Sequence, residues 1–406
     1  MGLSKGLRDY LTVSQMLTGN KRKGIQRIKE IAAESEKTFV EILNVLTFGA
    51  CDGMTTVAQV AASDSAVAAI LKNDTAKSLI APSGNVSKFF ASAAYMSATV
   101  EDEAAMAELA ESDDLATAIG TPTALSAMTA SATAMRVLMA SANGRSKMLG
   151  SSAAVNAIYS SSTAMSAVLA NGDAITASLN SGTALSKFKA SSTYVSKVAT
   201  TYASKFSSAT WAEIGKLSTL AQANASAFSG YVGKTKSVAI SGYSSHTFKV
   251  IGVGTDSGSG FTLCCEDIVT THVMNSSNTT TGGWEKSAMR SWLSDTLLKA
   301  LPSDLQSVIK AVPKKNTADY GAATTSDKMW LLSFTEVGLD SGTTEGAKYS
   351  VFKDNASRVR KNNGSAYYWW LRSVISSSYF RFVDSGGSLG YGVASDGYGV
   401  VPCFSV

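Results

Sequence analysis

"WWLRSVISSSYFRFVDSGGSLGYGVASDGYGV" occupies positions 369 to 400. It opens as a strand, "YYWWLRS", and then its vocabulary narrows. From Val374 to Val406 there is no Lys, Glu, Gln, Met or Trp, while Ser, Gly and Tyr recur. Tyr, Ser and Gly are the residues of antibody-like paratopes, because Tyr gives rigid amphipathic contact and Ser and Gly adapt to a partner. Tyr379, Phe382, Tyr391 and Tyr398 are the expected anchors, and Asp384 and Asp396 are expected to fix polar groups or a basic patch.

Upstream, from about residue 231, the chain reads as strands and two helices. "KSVAISG" and "HTFKVIGVGTDSGSGFTLCCEDIV" alternate apolar and polar residues around a Gly/Ser/Asp turn. Gly252, Gly254 and Gly258 resemble a phosphate-binding loop, but no helix opens at them, so a hairpin is expected. "GGWEKSAMRSWLSDTLLKALP" carries Trp284, Met289, Trp292, Leu293 and Leu297 at helical intervals, and Ser303 is expected to cap a second helix after Pro302. "DKMWLLSFTEVG" reads as a strand entering a loop. The tryptophans Trp284, Trp292, Trp330, Trp369 and Trp370 are expected in the core. Arg372 follows two of them and is expected to pair with a buried carboxylate rather than bind an anionic ligand.

The first half has a different grammar. "TPTALSAMTAS", "SSAAVNAIYSS", "SSTAMSAVLAN", "SGTALSKFKAS" and "SSTYVSKVATT" repeat with a ten-residue beat. One apolar row runs through Leu125, Met135, Val155, Met165, Ile175, Leu185 and Val195. A second lies three residues later, at Met128, Leu138, Met148, Ile158, Val168, Phe188 and Val198; Arg145 and Ser178 are the exceptions. In one continuous helix such a seam would rotate by roughly 80° per repeat. Ser-Ser, Asn143-Gly144 and Asn171-Gly172 fall between stripes as stop and cap signals. The prediction is a stack of short capped helices, within one chain or between identical chains, with no chemistry of its own. Ahead of it, Ile25, Ile28 and Ile31 predict an amphipathic helix, and Lys21, Arg22 and Lys23 predict its solvated face.

Composition removes several classes of function. The chain has 406 residues, 17% charged, with a formal net charge of +5, which requires neither nucleic acid nor a membrane as partner. Its four cysteines, Cys51, Cys264, Cys265 and Cys403, show no zinc spacing and suggest no disulfide framework. Cys264 and Cys265 are expected to point to opposite faces of a strand, with Cys403 alone. His246 and His272 are the two histidines, and neither lies in a nucleophile motif. No paired acids suggest a polysaccharide-cleaving groove, and the scattered acids lack calcium-loop spacing, so no catalytic residue, metal or cofactor is expected. No run of eighteen apolar residues occurs, Gly6 departs from the myristoylation motif, and "MGLSKGLRDYL" lacks signal-peptide character.

The succession "WEKSAMRSWL…LP", "DKMWLLSFTEVG", "EGAKYSVF", "YYWWLRS", "FRFV", "GSLG" and "GVVPCFSV" resembles a family of bacterial and phage domains with the C-type-lectin fold. That family is related in architecture to formylglycine-generating enzymes. The ending resembles, more narrowly, the variable proteins of diversity-generating retroelements, the family of the phage major tropism determinant. In those systems, the resemblance implies, adenines of a template copy are replaced at random. AAC and AAT codons so treated cannot yield Lys, Glu, Gln, Met or Trp, and none of these five occurs here. Matched to the family, Trp369, Trp370, Leu371, Arg372, Ser373, Phe380, Arg381, Val383, Gly387, Leu389, Ala394, Gly399, Val400 and Pro402 are scaffold. Val374 stands where the family often has Pro. The displayed, ligand-binding set is Ser376, Ser377, Ser378, Tyr379, Phe382, Asp384, Gly386, Ser388, Gly390, Tyr391, Gly392, Val393, Ser395, Asp396, Gly397 and Tyr398.

The expected fold is therefore α+β, an elongated helical decapeptide-repeat rod followed by a C-type-lectin-fold domain. The expected boundaries are 1–55 for an N-terminal helical attachment region, 56–205 for the rod, 206–230 for a linker helix and 231–406 for the ligand-binding domain. The expected role is that of a non-enzymatic phage tail receptor-binding protein, in the virion tail and made without a signal peptide. Its partners would be a bacterial surface protein or glycan and, through the N-terminal region, other tail proteins, with a homotrimer giving avidity. A bacterial surface adhesin, or a formylglycine-generating oxidase, is the alternative.

Overall fold

The computed structural model describes residue 30 and residues 35–80, 83–340 and 345–406. The helix expected around Ile25, Ile28 and Ile31, and the basic cluster Lys21 to Lys23, lie outside the described residues. The chain is α+β, with helices in its N-terminal part and a β-rich C-terminal part, and forms two compact units, Met1–Phe188 and Lys189–Val406.

The described part of the first unit is helical. After a helix at Glu36–Leu46 come short helices that settle into a ten-residue register: Pro122–Ala130, Ala132–Ala140, Ala142–Gly150, Ser152–Ser160, Ser162–Ala170 and Gly172–Asn180. Ala132–Ala140 packs on the next helix and on Glu103–Glu111 and Ser162–Ala170, three units back and three units on. The stacking is thus within one chain, and three units of ten residues make one turn of the array. The second apolar row, from Met128 to Val198, is wholly buried, as is a column of small residues that includes Ala124, Ala134, Ala154, Ala164, Ala174 and Ala184.

At several joints one hydroxyl serves two helices. Ser161 accepts from the Ala164 N–H at 3.2 Å, capping its own helix, and donates to the Thr129 carbonyl, 2.6 Å away near the end of the helix four units earlier. Ser131 does the same with Ala134 and Val100, and Ser181 with Ala184 and Leu149. A helix of nine residues leaves nearly half of its backbone groups without internal partners, so this pairing of N-terminal N–H with C-terminal carbonyl answers the main cost of building in short pieces. Asn143-Gly144 departs from expectation. It lies in the first turn of Ala142–Gly150 rather than between stripes, where a β-carbon on Gly144 would sit 2.5 Å from the Leu138 carbonyl oxygen.

The second unit begins earlier than expected. The last decapeptide copy forms the helix Ser192–Ala203, and the expected linker forms Trp211–Ala223; both belong to this unit. Aromatic packing draws them in, since Tyr231 stacks on Phe261 at 5.3 Å and donates to the Ala199 carbonyl at 2.8 Å. Its strands are β1 (Thr235–Val238), β2 (His246–Val253), β3 (Phe261–Cys265), β4 (Thr270–His272), β5 (Val312–Lys315), β6 (Thr324–Asp327), β7 (Met329–Trp330), β8 (Arg360–Asn362), β9 (Ser365–Tyr367), β10 (Trp369–Val374), β11 (Tyr379–Val383), β12 (Leu389–Val393), β13 (Tyr398–Val400) and β14 (Cys403–Ser405). One five-stranded sheet has the order β1-β2-β3-β14-β7 and the other β12-β11-β10-β13-β4; β5-β6 and β8-β9 are separate hairpins. The expected β2–β3 hairpin forms, with its turn at Gly254 and Gly258. The helix after Pro302 starts with Pro302, not Ser303, at the cap position.

The cysteines correct another expectation. Cys264 and Cys403 face each other across β3 and β14 and are joined in a disulfide, so Cys403 is not alone. Cys265 points to the other face as expected, buried and free, its thiol pushed up to about 12 by burial.

The double role of the joint hydroxyl gives a measurable cost. S161A removes a cap and a cross-turn bond together and should destabilise the first unit by about 1–3 kcal/mol. S162A, one residue along at a position with no such role, should stay within about 0.5 kcal/mol. Urea denaturation followed by circular dichroism measures both.

Candidate functional site

The C-terminal surface is built outward from a buried charge. Arg372, on β10 in the second sheet, is 0% exposed. Its Nη1 donates to Glu336 Oε2 at 2.5 Å and to the Leu331 carbonyl, its Nη2 to the carbonyls of Lys315 and Glu345, and its Nε to Asn316 and Lys315. Glu336 also meets Lys314 at 2.6 Å, and Lys314 meets Asp256 at 2.8 Å, so two acids and two bases alternate in one row. Tyr349 donates to Asp256 at 2.7 Å. Burial would push both carboxyls up, but Arg372 and Lys314 hold Glu336 below the usual carboxylate range, and Lys314 does the same for Asp256. This is the buried carboxylate pairing expected for Arg372. A cavity of about 470 Å³ opens beside the row, yet Asp256, Lys314 and Glu336 on its wall are already paired with one another.

From that anchor the chain runs through a loop at 375–378 into the β11–β12 ribbon and on to β13. Val374 donates its N–H to Thr317 Oγ1 at 3.0 Å, a bond that a Pro at this position could not make. Exposure differs between the two sets of positions along the segment. Of the sixteen displayed positions, Gly392 alone is buried; of the fourteen scaffold positions, twelve are buried and Arg381 and Leu389 are half-buried. Four of the expected core tryptophans, Trp284, Trp330, Trp369 and Trp370, are buried, and Trp292 is half-buried against His272 at 4.5 Å.

The displayed residues do not form one surface. Register places Phe382 opposite Gly390 and Arg381 opposite Tyr391, so alternate residues take opposite sides of the ribbon. On one side Phe382 and Tyr398 pack with Tyr368 and Trp370, with ring centroids 4.9 Å apart for Phe382–Tyr398 and 4.6 Å for Trp370–Tyr398. Gly390 and Gly392 leave room for these rings: a β-carbon at either would fall within 2.5 Å of Phe382 or Tyr398, at 2.3 Å and 2.4 Å. Gly392 is therefore covered by its neighbours rather than displayed. On the other side Tyr379 and Tyr391 meet edge to face at 5.5 Å, with Tyr391 62% exposed.

Each of the two aspartates uses one carboxylate oxygen in a bond within the segment. Asp384 Oδ1 accepts from the N–H groups of Gly386 and Ser388 at 2.9 and 2.8 Å, closing the β11–β12 turn. Asp396 accepts from the Tyr398 hydroxyl at 3.1 Å; burial and that bond push the phenol up to about 12. Three contributors were not predicted. Tyr368 completes the aromatic cluster, Thr280 bonds the backbone of Ser376 and Ser377, and Asn278 bonds Ser395. Tyr368 was legible as the residue before Trp369; nothing in "NSSNTTT" tied residues 275–281 to a segment a hundred residues away.

Among the described residues, no group of three or more His, Cys, Asp or Glu is placed to hold a metal ion. A family model described as a domain of unknown function (DUF6273) matches residues 259–406, which include both sheets except β1 and β2. No curated protein and no solved structure matches the chain.

E336Q should cost about 3–5 kcal/mol, because it leaves Arg372 and Lys314 buried with half their counter-charge. The folded pKa values of Glu336 and Asp256 are lowered, so their contribution is complete above the unfolded carboxylate value and is lost as pH falls. Wild type should therefore lose stability below about pH 4. E336Q should flatten that slope, as thermal unfolding between pH 3 and 7 would record.

Proposed function

We propose that this chain is a receptor-binding protein of the phage-tail type, whose C-terminal unit is a C-type-lectin-fold head and whose first unit is a repeat spacer. It binds a bacterial surface protein or glycan without catalysis, and it acts in the virion tail, where the N-terminal region meets other tail proteins. A homotrimer would raise the avidity of individually weak heads through effective concentration.

The observation that carries this reading is the division along 369–402 between buried positions and accessible ones, which supports the scaffold and displayed sets that the resemblance implies. A plain Gly/Ser-rich tail has no reason to bury Trp369, Trp370 and Arg372 while leaving Tyr379, Tyr391 and Tyr398 accessible. Rigid aromatic anchors on an ordered sheet, rimmed by Ser and Gly, are what a binding surface of adaptable specificity requires. The Cys264–Cys403 disulfide is buried at 1% and 0% exposure, so it adds support to the scaffold reading rather than to an oxidase with reactive cysteines.

If this face engages the host, F382A and Y398A should each weaken adsorption of the labelled protein to host cells by roughly tenfold or more. Because both rings are half-buried in the aromatic cluster, the variants should unfold at a somewhat lower temperature while keeping the circular dichroism spectrum of wild type. Adsorption that is unchanged for both would sink the proposal.

A further inference from the structure

We propose that Arg381, flanked by Tyr379 and Tyr391, is a recognition site for a carboxylate-bearing saccharide on the side of the β11–β12 ribbon opposite the aromatic cluster. The inference rests on the reading of this segment as a binding face. Tyr379 and Arg381 are two apart on β11 and share a side, and Arg381 stands directly opposite Tyr391 on β12. The guanidinium carbon lies 4.5 Å from the centroid of the Phe334 ring, against which it packs, and Nε is buried.

What is missing around Arg381 identifies the ligand. Every other described arginine donates to a carboxylate or a backbone carbonyl: Arg136 to Glu103, Arg145 to Met139, Arg290 to Asp327, Arg358 to Gly387, Arg360 to Ser357 and Arg372 to Glu336. Arg381 donates to nothing among the described residues. A partly buried guanidinium packed on a ring and left without an acceptor is suited to a planar oxyanion, bound through its two terminal nitrogens. The exposed Tyr391 ring and the Tyr379 edge beside it add flat amphipathic surface, which suits a sugar ring. Because β12 is the edge strand of its sheet, the site is open to a chain longer than one residue. A single cation per site favours one carboxylate per repeating sugar over the dense charge of an acidic peptide.

The full chain would be immobilised and titrated at low salt with polygalacturonate and hyaluronate, with dextran as the neutral control and polyglutamate as the acidic-peptide control. Saturable binding to one of the two acidic polysaccharides, with none to dextran, is expected. R381Q should weaken it by about tenfold or more, and Y391A by several-fold. Because Tyr391 is exposed, Y391A keeps the test valid even if R381Q fails to fold. The proposal is overturned if neither acidic polysaccharide binds, if neither substitution weakens binding, or if polyglutamate binds as tightly as the sugars. Such a failure, with host adsorption still dependent on Phe382 and Tyr398, would leave the receptor-binding role standing.

Discussion

Arg372 carries its full charge into the interior of the second unit, and the arrangement of β10 follows from how that charge is met. All of its N–H directions find oxygen, and one of them finds a carboxylate that Lys314 shares. Replacing such a row with apolar residues could be as stable, so its value is better sought in register. Its partners come from the segments at 256, 314–316, 331–336 and 345, and a strand slipped by one residue would strand every charge. With β10 pinned in this way, Trp369 and Trp370 are forced to opposite sides. Trp370 then underlies the aromatic cluster and Trp369 meets the Arg358 carbonyl. The row thus gives the sheet beneath this surface a fixed interior.

The first unit solves a different problem with equal economy of means. Nine-residue helices are too short to hold together alone, since nucleation is costly and few internal bonds repay it. The array compensates through a repeated column of Ala and Gly that lets backbones approach, and through a Ser that serves two helices at once. That explains why the repeat is rich in small and hydroxylated residues without being disordered. Apolar residues are needed at two positions in ten, and the rest is determined by closeness and caps.

Much of this was readable in advance where a local rule decides the outcome. The ten-residue rows at Met128, Leu138 and Ile158, the β2–β3 hairpin, the tryptophan core and the buried role of Arg372 all follow from periodicity or from the cost of burying polar groups. The α+β division was legible for the same reason. What escaped was decided by distant contacts. Ser192–Ala203 reads as one more repeat but is claimed by Tyr231 and its aromatic neighbours. Cys264 and Cys403 are 139 residues apart, and only the pairing of β3 with β14 joins them. Alternation along β11 was visible, but its consequence, two separate aromatic groups rather than one face, requires the register with β12. The local bonds of Asp384 and Asp396 also escaped, because their partners are backbone groups and a tyrosine hydroxyl, which leave no mark in composition.

The central proposal is that a fixed scaffold presents accessible positions that are free to vary, and the DNA around the gene tests it most directly. That DNA would be sequenced for a near-copy of the last hundred or so bases beside a reverse-transcriptase gene. The account predicts such a copy, with adenines in the copy wherever the two differ and with the differences at codons for the accessible positions. The codons for Trp369, Trp370, Arg372 and Pro402 should be the same in both. Absence of any copy, or differences spread equally over the buried codons, would contradict it.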